Sequence, residues 1–234
     1  MTLNADGLQI TLHGKEHAGV PLVWVPVFGD EGEKLFAAYD ALPDAPACTL
    51  AAVAVPDWNG MLSPWAAPRL YKRDSDFTGG ADAFLARLTG SAIPAVTAAL
   101  PAEPLYHAAA GYSLAGLFTL YALFRTDMFR RAASASGSLW YPGFAEYAAA
   151  HSFARQPDAV SLSLGEKEAN AKQPVLATVA AKTEQFTELL RQRGVPVQFA
   201  WNPGNHFQDA DQRTARCIRG MLEMKAADQG GRRK

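Results

Sequence analysis

Leu105-Tyr106-His107-Ala108-Ala109-Ala110-Gly111-Tyr112-Ser113-Leu114-Ala115-Gly116 is the stretch on which the fold turns. The apolar run over 105–110 reads as a buried strand, and the apolar stretch over 114–124 reads as a helix. Between them a serine sits among small residues on a sharp strand-to-helix turn, the arrangement of a nucleophile elbow. Such a turn is strained, and a bulky side chain flanking Ser113 would strike neighbouring backbone. Ala115 stands where glycine is commoner, with Gly116 next to it. The competing reading is an N-cap serine that merely opens a helix.

Working outward, the same alternation repeats. Leu8–His13 alternates apolar and polar as a half-exposed strand does. Continuous apolar runs over 20–27 and 48–55 read as strands covered on both faces, and shorter runs follow at 132–135, 159–164 and 195–201. Helical patterns lie between them at 34–42, 80–100, 174–193 and 210–224; the one at 174–193 has Pro174 at its start and Gly194 just past its end. Strand followed by helix, several times over, predicts an α/β chain with a mostly parallel central sheet and helices on both faces. In such a sheet the chemistry gathers at the C-terminal ends of the strands.

That rule selects among the candidates. A serine hydroxyl needs a base, and the chain offers five histidines. His13 and His17 fall in the first segment, His107 lies inside the strand before the elbow, and His151 follows an alanine-rich helical stretch. His206, in Trp201-Asn202-Pro203-Gly204-Asn205-His206-Phe207, follows the last strand and comes after the serine in chain order. The acid belongs after the preceding strand, where Gly165-Glu166-Lys167-Glu168 begins. Glu168 is the choice because the acid usually sits a few residues past the strand end, with Glu166, or no acid, as the alternatives. Its work is to hold the imidazole tautomer and stabilise the imidazolium. The expected oxyanion donors are the backbone N–H of Leu114 and that of Asp30 or a neighbour in Phe28-Gly29-Asp30-Glu31-Gly32, with the Asp30 side chain turned away.

With these residues placed, the chain resembles the α/β-hydrolase proteins of the putative-esterase group, which includes esterase D-like enzymes and enterobactin-type siderophore esterases. The match runs through Phe28-Gly29, Gly111 to Gly116, Ser136-Gly137-Ser138-Leu139-Trp140, Leu164 to Glu168 and Pro203-Gly204-Asn205-His206, and through Ser63-Pro64 and Gly79 to Leu85 within 57–86. The resemblance implies an α/β-hydrolase fold and a carboxylic ester hydrolase using Ser113 and His206. Two departures are visible. Phe28 stands where Asp is usual, and so few strands precede residue 20 that the sheet is expected to lack an edge strand. The same fold would also serve a catalytically idle binding protein, or acyl transfer or peptide cleavage by the same residues.

Pocket candidates fall in the same loops. Trp58, Trp65 and Tyr71 share one long connection, 56–79, read as a partial lid, and Trp140 follows a strand end. Arg69, Lys72 and Arg73 are candidates to draw an anionic substrate. No large cap domain fits in 234 residues, read as a single domain with a frayed tail at 228–234.

Composition bounds the rest. A net charge of −1, from 22 basic and 23 acidic residues, argues against nucleic-acid or basic membrane-surface binding. Two cysteines, Cys48 and Cys217, supply neither a zinc site nor a disulfide framework. Residues 1–7 lack the basic and apolar parts of an export signal, and no run of about 18 apolar residues occurs. The expectation is a cytoplasmic protein acting on a small-molecule ester, with no metal or cofactor required. Nothing in the chain specifies an oligomeric state.

Overall fold

A computed structural model describes residues 1–225; the expected tail at 228–234 lies outside the described residues. Among the described residues ten strands occur in chain order: β1 (Thr2–Ala5), β2 (Leu8–His13), β3 (Leu22–Val27), β4 (Thr49–Ala54), β5 (Ala66–Ala67), β6 (Phe77–Thr78), β7 (His107–Tyr112), β8 (Phe129–Ala135), β9 (Ala159–Gly165) and β10 (Val197–Asn202). Eight of them form one sheet in the order β1-β2-β4-β3-β7-β8-β9-β10, while β5 and β6 pair as a small separate ribbon. From β4 onward every neighbour in the large sheet is parallel; the antiparallel pairs are β1 with β2 and β2 with β4, so β2 alone runs against the other seven.

The expected missing edge is present. Asp6 and Gly7 both take positive φ, +48° and +69°, the geometry of a two-residue hairpin turn whose twist suits the strands it joins. That turn folds β1 back along β2, with Thr2 opposite Thr11 and Ala5 opposite Leu8.

The middle strands show why continuous apolar runs form here. On β3, Leu22 and Trp24 point into one hydrophobic core, and Val23, Val25 and Val27 into a second core on the other face. Helices α1 (Glu31–Asp40) and α9 (Ala210–Glu223) cover the second face, and the first lies under α5 (Leu114–Arg125). In α5 every residue from Leu114 to Phe124 is buried, as an all-round apolar helix requires.

Two expected helices are interrupted. The pattern at 80–100 becomes α3 (Ala81–Arg87), a π turn (Leu88–Ala92) and α4 (Ile93–Ala99). Pro94 lacks an N–H and its ring would crowd the carbonyl four residues back, so the wider turn takes up the misfit. The pattern at 174–193 splits into α7 (Pro174–Ala177) and α8 (Val179–Gln192) at Thr178, whose hydroxyl turns back to the Val175 carbonyl at 2.6 Å. The connection 56–79 holds α2 (Trp58–Leu62) and the ribbon, and α6 (Phe144–Ala150) lies between β8 and β9. Among the described residues no helix is long and apolar enough to cross a membrane.

Candidate active site

Ser113 follows β7 with φ +55° and ψ −121°, a conformation side-chain-bearing residues rarely hold and one that costs about 1–3 kcal/mol. Neighbouring backbone fixes it. Its N–H donates to Ala135 O at 3.1 Å, and its carbonyl accepts from Leu117 and Ser138 N–H at 3.1 and 3.0 Å. Its hydroxyl makes no cap bond to α5, so the serine is not there to start the helix. The turn closes only over small residues. A Cβ on Gly111 would stand 2.4 Å from the backbone carbon of Ala115, and one on Gly116 2.7 Å from Ser134 Oγ. Because the obstruction at Gly111 is main chain, Gly111→Ala is expected to cost about 3 kcal/mol, the upper end for overpacking. That corresponds to a fall in Tm of roughly 6–12 °C, and a thermal melt matching the parent's would contradict it.

The histidine arrives from the other side. The chain leaves β10 through Pro203-Gly204, where Gly204 takes φ +90°. The Tyr112 hydroxyl, from the elbow itself, donates to the carbonyl of His206 at 2.6 Å. His206 Nε2 lies 3.0 Å from Ser113 Oγ, and Nδ1 lies 2.8 Å from Glu168 Oε2. A carboxylate on Nδ1 fixes that nitrogen as the N–H donor and leaves the Nε2 lone pair facing the serine.

Glu168 opens a 3-10 turn (Glu168–Asn170) past β9 and is buried. Its other oxygen, Oε1, accepts from Ser136 Oγ at 2.6 Å, Gly165 N–H at 2.8 Å and Arg213 Nη1 at 3.3 Å. Burial pushes the carboxyl's pKa up, but the His206, Ser136 and Gly165 bonds outweigh it and hold it below the usual carboxylate value. Glu166, its rival, is exposed, and its N–H is spent on Asn202 O at 2.9 Å.

The remaining histidines sit elsewhere. His107 Nδ1 accepts from Trp24 Nε1 at 3.3 Å, and burial lowers its pKa. His13 stacks on Phe36 and reaches Asp40 at 2.8 Å, His17 lies 3.8 Å from Glu16, and His151 stacks on Tyr147.

At the first loop the Phe28 N–H is taken by Glu31 Oε2 at 3.0 Å. The N–H groups of Asp30 and Leu114 have no protein partner among the described residues. The Asp30 carboxylate turns aside to Lys34 at 3.1 Å.

Ser113, Leu114, Glu168 and His206 all border one cavity of about 880 Å³. Trp58, Tyr71 and Trp140 line it as expected, joined by Phe28 and Phe207. Trp65 does not. Its ring packs on Tyr121, Tyr141 and Tyr147 and its indole N–H donates to Pro142 O at 2.9 Å, so it braces the lid connection from behind. Arg69, Lys72 and Arg73 also stay outside, Arg69 paired with Asp76 at 3.4 Å; the cations at the cavity are Lys167 and Lys172.

Sequence reasoning missed Ser136, Tyr112 and Arg213. A signal existed for the last: Arg213 stands four residues before Cys217 and eight before Met221, on the apolar stripe of its helix.

Three comparisons bear on this arrangement. Residues 34–210 match the model of a family described as "Putative esterase". The protein called "Uncharacterized protein YbbA" of Bacillus subtilis (strain 168) is 31% identical over 135 residues, 56% of this chain and 54% of that protein. The chain thus spans about half the length of the curated relative it matches. Among solved structures, "Siderophore hydrolase EstA" from Aspergillus nidulans superposes with a TM-score of 0.70 at 17% identity, over 95% of this chain and 93% of that one. An IroE-like serine hydrolase from Shewanella oneidensis gives 0.72 at 17% identity, over 91% and 74%. At such identities the likeness is one of fold.

Proposed function

The chain belongs to the putative esterase family, and from that premise we propose that it hydrolyses carboxylic esters of small molecules through an acyl-enzyme on Ser113. The observation that carries the reading is the unbroken line from Ser113 Oγ to His206 Nε2 at 3.0 Å and from His206 Nδ1 to Glu168 at 2.8 Å. Ser113 attacks the ester carbonyl while His206 takes its proton. The new oxyanion is held by the N–H of Leu114, which borders the cavity and which no protein group engages among the described residues; Asp30, the other expected donor, does not border that cavity. His206 returns the proton to the leaving alcohol, and water, activated by the same imidazole, releases the acid. Glu168 keeps the ring in the productive tautomer throughout.

The cavity sets the substrate's size. About 880 Å³ lined by Phe28, Trp58, Tyr71, Trp140 and Phe207 exceeds what an acetyl ester fills, so the acyl or alcohol part is bulky and partly apolar. The siderophore hydrolases among the structural neighbours support testing a siderophore ester as a substrate. Two buried free thiols, Cys48 and Cys217, suit the reducing cytoplasm as the site of action.

The test pairs labelling with turnover. A fluorophosphonate is expected to modify Ser113, and a panel of p-nitrophenyl esters, a triscatechol lactone and peptides is expected to show ester cleavage. Within the p-nitrophenyl series, kcat/KM for aryl-acyl esters is expected to exceed that for the acetate by about tenfold or more. A folded protein that takes no label and turns over no ester would overturn the reading in favour of an idle binding protein, and one that labels yet cleaves only the peptides would overturn it in favour of peptide cleavage by the same residues.

A further inference from the structure

The Arg213 guanidinium is wholly buried where the acid loop and the histidine loop meet. Its Nη1 lies 3.3 Å from Glu168 Oε1 and 3.4 Å from both Ser136 Oγ and the Tyr112 hydroxyl, and its Nη2 donates to Pro203 O at 2.5 Å. One side chain therefore touches the carboxylate that orients His206, the tyrosine that holds the His206 carbonyl, and the backbone three residues before that histidine.

The surroundings are shaped to admit it. A Cβ on Gly165 would come within 2.9 Å of both Arg213 Nη1 and Glu168 Oε1, and one on Gly204 within 3.4 Å of Nη2. A stability role explains this poorly. Burying an ion pair takes two charges out of water, and apolar replacements of like volume are often neutral or better. Arg213 Nε, moreover, finds no partner among the described residues.

On the esterase reading above, we propose that Arg213 is a positioning residue that works through Glu168. It occupies Oε1 so that Oε2 stays aimed at His206 Nδ1, and it anchors the loop that carries the ring. It does not border the substrate cavity. Its loss should therefore fall on kcat and spare KM.

The experiment is a double-mutant cycle on the intact chain with a p-nitrophenyl ester, measuring kcat, KM and melting temperature for R213M, R213K, E168Q and E168Q/R213M. R213M is expected to lose about 10²-fold in kcat with KM within about threefold, below the loss seen when a triad acid itself is removed. R213K, which keeps a charge beside Glu168, is expected to recover to within about tenfold of the parent. In the Glu168→Gln background, adding R213M is expected to change kcat by less than about threefold, because both changes break one device.

Losses that multiply in the double variant, a loss carried by KM, or a folded R213M with parental kcat overturns the proposal. Should R213M alone fail to fold, E168Q against E168Q/R213M still decides, since that pair leaves no bare buried carboxylate. An inert parent overturns the esterase reading and this inference together; an active parent with multiplying losses overturns this inference alone.

Discussion

Ser113→Ala is expected to lower kcat for ester hydrolysis by on the order of 10⁵- to 10⁶-fold while leaving the fold intact. The size of the loss follows from the absence of a substitute. Ser138 Oγ lies 3.4 Å from Ser113 Oγ, yet among the described residues it makes no hydrogen bond to His206, so no second hydroxyl is activated. Tolerance of the fold follows from what the Ser113 side chain does not do. It caps no helix, and the turn is held by main-chain bonds through its N–H and carbonyl that alanine keeps. Steady-state kinetics with a p-nitrophenyl ester, read beside a thermal melt, checks both halves. Turnover retained in a folded Ser113→Ala protein would refute the nucleophile.

His206→Ala should do comparable damage by a different route. The serine remains but nothing takes its proton, so both turnover and the rate of fluorophosphonate labelling should fall by on the order of 10⁵-fold. The loop should keep its place, because Tyr112 holds the backbone carbonyl of residue 206 and not its ring. Groups that act as a unit do not contribute independently, so the Ser113→Ala/His206→Ala double variant should be no slower than either single one. Labelling of Ser113 at the parental rate in the His206→Ala protein would show that some other base serves the serine.

The sequence made the central strands and the elbow legible because both signals are local. Apolar runs such as 20–27 can sit only where both faces are covered, and β3 duly feeds two cores. Small residues around Ser113 answer contacts within a few positions of chain, such as the Gly111–Ala115 approach. The misses arise where the deciding contact is distant or the local signal is faint. β1 is short and half-exposed, although the Asp6-Gly7 turn was its clue. The start of β8 was hidden by Arg130 and Arg131, charges that read as surface. Arg131 is nevertheless buried, its guanidinium on the carbonyls of Met221 and Leu222. Trp65 was assigned to the pocket because it shares a loop with Trp58 and Tyr71, but a loop fixes neither direction nor partner, and the tyrosines of α5 and α6 claimed it.

At the candidate site the same division holds. The order of serine, acid and histidine along the chain could be read, and Glu168 over Glu166 rested on distance past the strand end. What could not be read was the lattice of donors around Oε1, drawn from positions 136, 165 and 213.

The long reach of these contacts bears on the protein's birth. Ninety-three residues separate the nucleophile from its base, and the guanidinium is supplied later still. A nascent polypeptide leaving the ribosome therefore presents a finished elbow long before it owns anything to switch that serine on. On the proposed reading, the serine of a growing chain therefore waits without its base until His206 has emerged and its loop has come to rest beside the elbow.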